Sequence, residues 1–406
     1  MFDVVIKNGL IIDPETRTRS VGNVGLLHGK IAIITSAEIH GTQEFDASDR
    51  IVCPGFIINQ AEFIGHSMSV REAVGAIDPL KPATAEQLSG MEYLVEKAFE
   101  EGACGLSLGL AYAPGTSNDE ILNLSKIAAR YGRVIAVDTR MLTGIDMYSL
   151  VEVIAIARQT GARIQISHLV YQYGTGVMNE ALAVINKARK DGIDIRFDSG
   201  MYTEWATHIG AVLFSEEYME LNGWKFEDIL VITGKYNGKR LTENIYRELR
   251  KSDPYASVVV FTGIEEEIYM ALNHPYAMPS TDTGAYAPGE GHPQIAGSFP
   301  RYFRKMVVER YQLNLMEAVC KATLLPADTL GFTSKGRLQE GMDGDIVVFD
   351  IKTINDKAVF GMPNASPEGI DYVFLNGKLA LAKGEIMDHR AGKAVRSTKP
   401  VYDYQI

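Results

Sequence analysis

Four glycines, Gly102, Gly132, Gly161 and Gly192, fall 30, 29 and 31 residues apart, and this period constrains the fold more than any other feature of the chain. Each closes an amphipathic stretch and precedes a short apolar run, so one interval has the length of a helix plus a strand. The first helix opens at Thr84 with Gln87 three residues on, and the second at Ser117 with Glu120, both at the spacing of a capping box. Glycine just past a helix end is the residue best suited to the left-handed backbone conformation. The runs at 104–108, 134–137, 164–166 and 193–197 carry the Val and Ile of buried parallel strands. Runs at 257–261 and 276–279 continue the pattern after a less regular stretch, 205–254.

Both ends of the chain read differently. Short apolar runs broken by Asn8-Gly9, Asp13-Pro14 and His28-Gly29 fill the first fifty residues, and Asn376-Gly377 marks a hairpin between 372–375 and 379–382. The expected fold is therefore α/β. Residues 55–330 should form a TIM-type (β/α) barrel, and 1–54 with 331–406 a small composite β-sandwich domain. Roughly 275 residues between the β ends match the ~250 of a typical barrel, and no phosphate-binding glycine fingerprint argues for a doubly wound sheet.

Composition narrows the function classes. A chain that is 46% hydrophobic and 22% charged is globular rather than disordered. Its net charge of -11 repels nucleic acid and anionic membrane, so neither is an expected partner, whereas a homo-oligomer is compatible with it. Three scattered cysteines without CxxC spacing and a start lacking a signal peptide fit a soluble cytoplasmic protein.

In a barrel, chemistry collects at the C-terminal ends of strands. Asp138, His168, Asp198 and Asp282 each end an apolar run. A lone Asp at such a place commonly caps the next helix. Four polar residues converging on one mouth would suit a divalent metal with a carboxylate left as general base. His66 and His208 follow barrel segments and could reach the mouth, although a hydrogen-bonded structural role is the commoner one for each. His28, His40 and His389 are expected at the surface; His274 and His292 flank the Asp282 loop.

Several motifs carry a resemblance. Pro54-Gly55-Phe56-Ile57, Gly65-His66 with Arg71, Leu110-Ala111-Tyr112-Ala113-Pro114-Gly115, Ser167-His168-Leu169, His292-Pro293 and Gly341-Met342-Asp343-Gly344-Asp345 stand in one order along the chain. In that order the chain resembles the amidohydrolase superfamily, and within it the D-aminoacylase (N-acyl-D-amino-acid deacylase) branch, over nearly its whole length. The resemblance implies a metal-dependent hydrolase of C–N amide bonds acting on a small-molecule amide. It implies Asp282 as the catalytic base and His168 as a metal ligand, with Asp138, His66 and His208 as further candidates. Substrate contacts are expected from Arg140, Tyr202, His292, Gln294 and Arg301.

The chain also departs from that pattern. Laid on without a gap, the superfamily's metal-binding HxH pair becomes Gln60 and Glu62, and a deletion of one or two βα units is the preferred reading. The next ligand histidine is replaced at Asp138-Thr139-Arg140, and two cations that resemble a carboxylate clamp are Val170 and Gln294 here. Two alternatives therefore accompany the deacylase expectation. One is a degenerate barrel that binds a small molecule without turnover; the other is a cyclic-amide, hydantoin-type hydrolase. One zinc ion is expected for an enzyme and none for the degenerate barrel.

Overall fold

All four periodic glycines take positive φ, at 99°, 62°, 68° and 88°, each just past a helix and ahead of a strand. These positions belong to a computed structural model that describes residues 1–58, 65–141, 146–282 and 284–397. The helix Ala85–Glu100 begins with a complete capping box: Thr84 Oγ1 accepts from Gln87 N–H at 3.2 Å and Gln87 Oε1 from Thr84 N–H at 2.9 Å. The box expected at Ser117 is half made. Ser117 Oγ accepts from Glu120 N–H at 3.2 Å, but the Glu120 carboxylate turns inward to the Arg71 guanidinium, and both side chains are 1% exposed.

The described residues divide into two compact units, one of 1–58, 296–358 and 364–395, the other of 65–141, 146–282, 284–295, 359–363 and 396–397. In the first unit the N-terminal part supplies β1 (Phe2–Asp13), β2 (Thr18–Leu27), β3 (Lys30–Thr35), β4 (Gly41–Asp46) and β5 (Ile51–Pro54). The second unit holds β6 (Gly65–His66), β7 (Gly105–Gly109), β8 (Val134–Asp138), β9 (Arg163–Ile166) and β10 (Ile195–Ser199). It continues through β11 (Glu204–His208), β12 (Ile229–Val231) and β13 (Ser257–Phe261) to β14 (Ala277–Pro279). The first unit then adds β15 (Ile346–Phe349), β16 (Ile370–Leu375), β17 (Lys378–Ala382) and β18 (Glu385–Ile386).

Both chain ends meet in one nine-stranded mixed sheet, ordered β18-β17-β16-β15-β5-β1-β2-β3 with β4 also on β1. The two halves join where β15 runs antiparallel to β5, Val347 opposite Cys53. Val4, Ile6, Val24, Leu26, Ile346 and Phe374 pack into one core on that sheet, each 3% exposed or less.

In the second unit β6, β7, β8, β9, β10 and β14 form a six-stranded parallel sheet in that order. Helices Asn118–Arg130, Tyr148–Thr160 and Met178–Lys190 separate β7 to β10 along the chain, as βαβ alternation requires. Among the described residues β6 and β14 are the two edges of this sheet and are not hydrogen-bonded to each other. The run 257–261 does not join it, contrary to expectation. It becomes β13, antiparallel to both β11 and β12 in a separate three-stranded sheet, with Val258, Val259 and Val260 fully buried. A buried antiparallel strand and a buried parallel one have the same apolar signature, which is why the run misleads. No helix among the described residues is long and apolar enough to cross a membrane.

Candidate active site

The parallel sheet delivers its polar residues to one end. Asp138 closes β8, Asp198 is the penultimate residue of β10, His168 follows β9 by two residues, and Asp282 follows β14 by three. All four line one cavity of about 180 Å³, together with Tyr112 and His208. The neighbouring strands set the spacing: Val137 is opposite Ile166, and Ser199 opposite Pro279.

His168 is held at two points. Its Nε2 stands 3.0 Å from Asp138 Oδ1, and its backbone N–H donates to Asp198 Oδ1 at 2.7 Å. The second bond braces a backbone at φ 33°, in the left-handed region that a non-glycine residue takes only under constraint. Asp282, at φ 41°, is strained in the same sense. Its carbonyl oxygen accepts from the Gln294 side-chain amide, and Gln294 Oε1 in turn accepts from the Tyr171 hydroxyl at 2.8 Å. Tyr171 comes so close to Gly200 that a Cβ there would lie 2.1 Å from its hydroxyl oxygen, so glycine is required at that position.

The electrostatics follow from three buried carboxylates around one imidazole. Burial alone would lower the His168 pKa, but the charges of Asp138, Asp282 and Asp198 outweigh it and push the imidazole up to about 10. Burial pushes the Asp198 carboxyl up to about 7, with His168 pulling against it and Asp282 adding to it. Asp282 is raised by burial, opposed by His168 and reinforced by Asp138.

The remaining expected residues divide. The His208 ring lies between Tyr112 and Tyr255, with centroids 6.0 and 5.9 Å away, on the cavity wall that β11 supplies. His66 lies in β6, but its side chain is outside the described residues, as are Gln60 and Glu62. Arg140 does not line the cavity: Nε donates to both Glu152 oxygens at 3.0 and 3.1 Å, and the two NH groups go to the carbonyls of Pro114 and Thr116. Arg301 belongs to the other unit, where Nε donates to Asp356 Oδ2 at 3.1 Å. His292 is fully buried, its Nδ1 accepting from Gln294 N–H at 3.1 Å, with Tyr202 edge-on to the ring at 5.2 Å. Neither His292 nor Tyr202 lines the cavity.

Sequence reasoning did not single out Tyr112, Tyr171 or Thr207. Tyr112 stands in the run Leu110–Gly115, but aromatic residues in such runs are ordinarily core. Tyr171 acts through Gln294, which only the fold brings near it. Among the described residues no three His, Cys, Asp or Glu side chains stand close enough to hold a metal ion.

Comparison with known proteins adds ancestry to this geometry. Residues 278–380 match the amidohydrolase family. The chain is 30% identical to the N-acyl-D-glutamate deacylase of Alcaligenes xylosoxydans xylosoxydans over 84% of its own length and 70% of that protein's. It is 27% identical to the D-aminoacylase of the same organism, over 84% and 71%. The crystal structure of N-acyl-D-glutamate deacylase from Bordetella bronchiseptica, complexed with zinc and a phosphonate that mimics the tetrahedral intermediate, superposes with a TM-score of 0.83. That pair is 25% identical and covers 98% of this chain and 100% of the other.

Proposed function

The chain belongs to the amidohydrolase family and is a metal-dependent hydrolase of C–N amide bonds, and from that premise we propose how its cavity works. The observation that carries the reading is the convergence of Asp138, His168, Asp198 and Asp282 on one cavity at neighbouring strand ends.

Asp282 is the general base. A carboxyl raised above its ordinary range takes a proton from an attacking water more readily than a solvated one, and can pass it to the departing nitrogen. Gln294 and Tyr171 position it through its backbone carbonyl. Asp138 and Asp198 hold His168 in place, one at the ring and one at the backbone. The six parallel strands are read as part of a (β/α) barrel that lacks one or two βα units. Residues 55–330 then carry the chemistry, and the sheet of the two chain ends is a small β-sandwich domain.

The donor chemistry at His168 suits a metal ion, because Nδ1 is buried with no hydrogen-bond partner and carboxylates surround the ring. The described residues bring together only part of the three or four protein ligands that a zinc site takes. The proton steps above use the chain's own residues alone. When bound, a metal would supply Lewis-acid activation. Our proposal for its contact is His168, and for its identity zinc. The free cysteines Cys53, Cys104 and Cys320 support a cytoplasmic setting.

The test is Asp282→Asn. Release of the acyl group from an N-acetylated amino compound should fall to background while metal content by elemental analysis stays at the wild-type value. Loss of metal along with activity would make Asp282 a ligand instead of the base.

A further inference from the structure

The cavity brings three carboxylates together, and the one basic group among them, the His168 imidazole, already stands 3.0 Å from Asp138. Its ionisable lining comprises Asp138, Asp198 and Asp282 with the two histidines His168 and His208, and no described lining residue is Lys or Arg. The same holds for the adjoining recess of Trp205, Leu213 and Met141, and for the outer vestibule of about 450 Å³, whose one charged residue is Glu72. Two arginines on flanking elements give their hydrogen bonds to other partners, although the Arg250 charge still reaches His208. Arg140 is spent on Glu152 and two carbonyls, and Arg250 on the carbonyls of Ile209, Ala211 and Phe214.

A substrate carboxylate entering this space would meet carboxylates without a guanidinium or ammonium to grip it. The walls instead offer aromatic and hydroxyl surface, from Tyr112, Tyr286, Thr207 and Ser257.

We propose that this site selects amides that carry no carboxylate, and so discriminates against the N-acyl amino acids for which its similar proteins are named. The inference rests on the amide-hydrolase reading above, and its test separates the two.

The probes are N-acetyl-D-leucine and N-acetyl-D-leucinamide, which differ only in replacement of the carboxylate by a neutral amide. Acetate release and calorimetric binding are both measured on the purified protein. The neutral compound should show kcat/KM at least about tenfold higher and correspondingly tighter binding, since like charges facing each other disfavour the anion. Raising ionic strength from about 0.05 to about 0.5 M should narrow the gap by screening the repulsion. Ala206→Lys, which adds a cation to the lining, should narrow it as well. Equal or faster turnover of the anion, or equal binding of both, overturns the proposal and leaves amide hydrolysis standing. Tighter binding of the neutral compound with acetate released from neither would uphold the charge selection and overturn the hydrolase reading.

Discussion

His168 Nε2 stands 3.0 Å from Asp138 Oδ1, so side chains tie together the ends of two strands whose backbones are already paired at Val137 and Ile166. The ring is fixed from one side and the backbone from another, by Asp198. Such double anchoring is what a reacting group needs if it is to stay within a fraction of an ångström of its working position.

Asp198→Ala should therefore lower kcat/KM by about 10- to 100-fold, because the His168 backbone loses its acceptor and the ring drifts. Asp198→Asn keeps an oxygen for that N–H, and should recover much of the loss. Steady-state kinetics on the two variants, with circular dichroism to verify folding, checks this. Equal damage in both would show that the charge of Asp198, rather than its hydrogen bond, is what counts.

Gln294→Ala removes the hold on the Asp282 carbonyl and strands the Tyr171 hydroxyl in the interior. Stability should fall by about 1–3 kcal/mol. The drop in kcat should approach about 100-fold, with a smaller change in KM, because Gln294 holds the Asp282 carbonyl and does not line the cavity. Urea unfolding and initial-rate kinetics read the two effects separately.

The Arg71–Glu120 pair is a structural clamp. Arg71 also donates to the carbonyls of Lys81 at 2.8 Å and Asp78 at 3.2 Å, and Glu120 Oε2 accepts from Ala83 N–H at 3.2 Å. Arg71→Met should cost about 3–5 kcal/mol by leaving a buried carboxylate without its partner. The double variant Arg71→Met, Glu120→Leu should regain a large part of that in chemical denaturation.

Lys321 yields a pH prediction. Burial pulls its amine down from 10.5 to about 8, against the opposing pull of Cys320 and Glu317. Between those two values the unfolded chain binds more protons than the folded one, so this group's contribution to stability rises with pH across the window and is flat below it. Melting temperatures of wild type and Lys321→Met should converge from pH 7.5 to pH 10, the variant being the more stable at the lower end. A gap that stays constant over that range would contradict the assignment.

Much of this organisation is legible in the sequence because it rests on local chemistry. The glycine period, the Thr84 cap and the Asn376-Gly377 turn each act within a few residues of themselves, and β16 and β17 pair across that turn. Asp138, His168, Asp198 and Asp282 are legible for a related reason: a polar residue that ends an apolar strand has few places to be except the sheet's rim. What depends on distant partners is not readable in this way. Nothing near Arg140 in the chain announces that Glu152 will claim it, and nothing near Arg301 points to Asp356. The valines of β13 state that they are buried without stating in which sheet.

That separate sheet has a consequence for how the molecule could diversify. The cavity wall bearing Ala206, Thr207, His208 and Ser257 is carried on β11 and β13, within the stretch that interrupts the chain between β10 and β14. The aspartates and His168 are set by the register of the parallel strands, whereas this wall is set by an insertion with its own hydrogen-bonded frame. Substitutions or changes in length within 204–261 can reshape the cavity wall while Asp138, His168, Asp198 and Asp282 keep their places. A library confined to that stretch would therefore vary this wall over an unchanged set of strand-end residues.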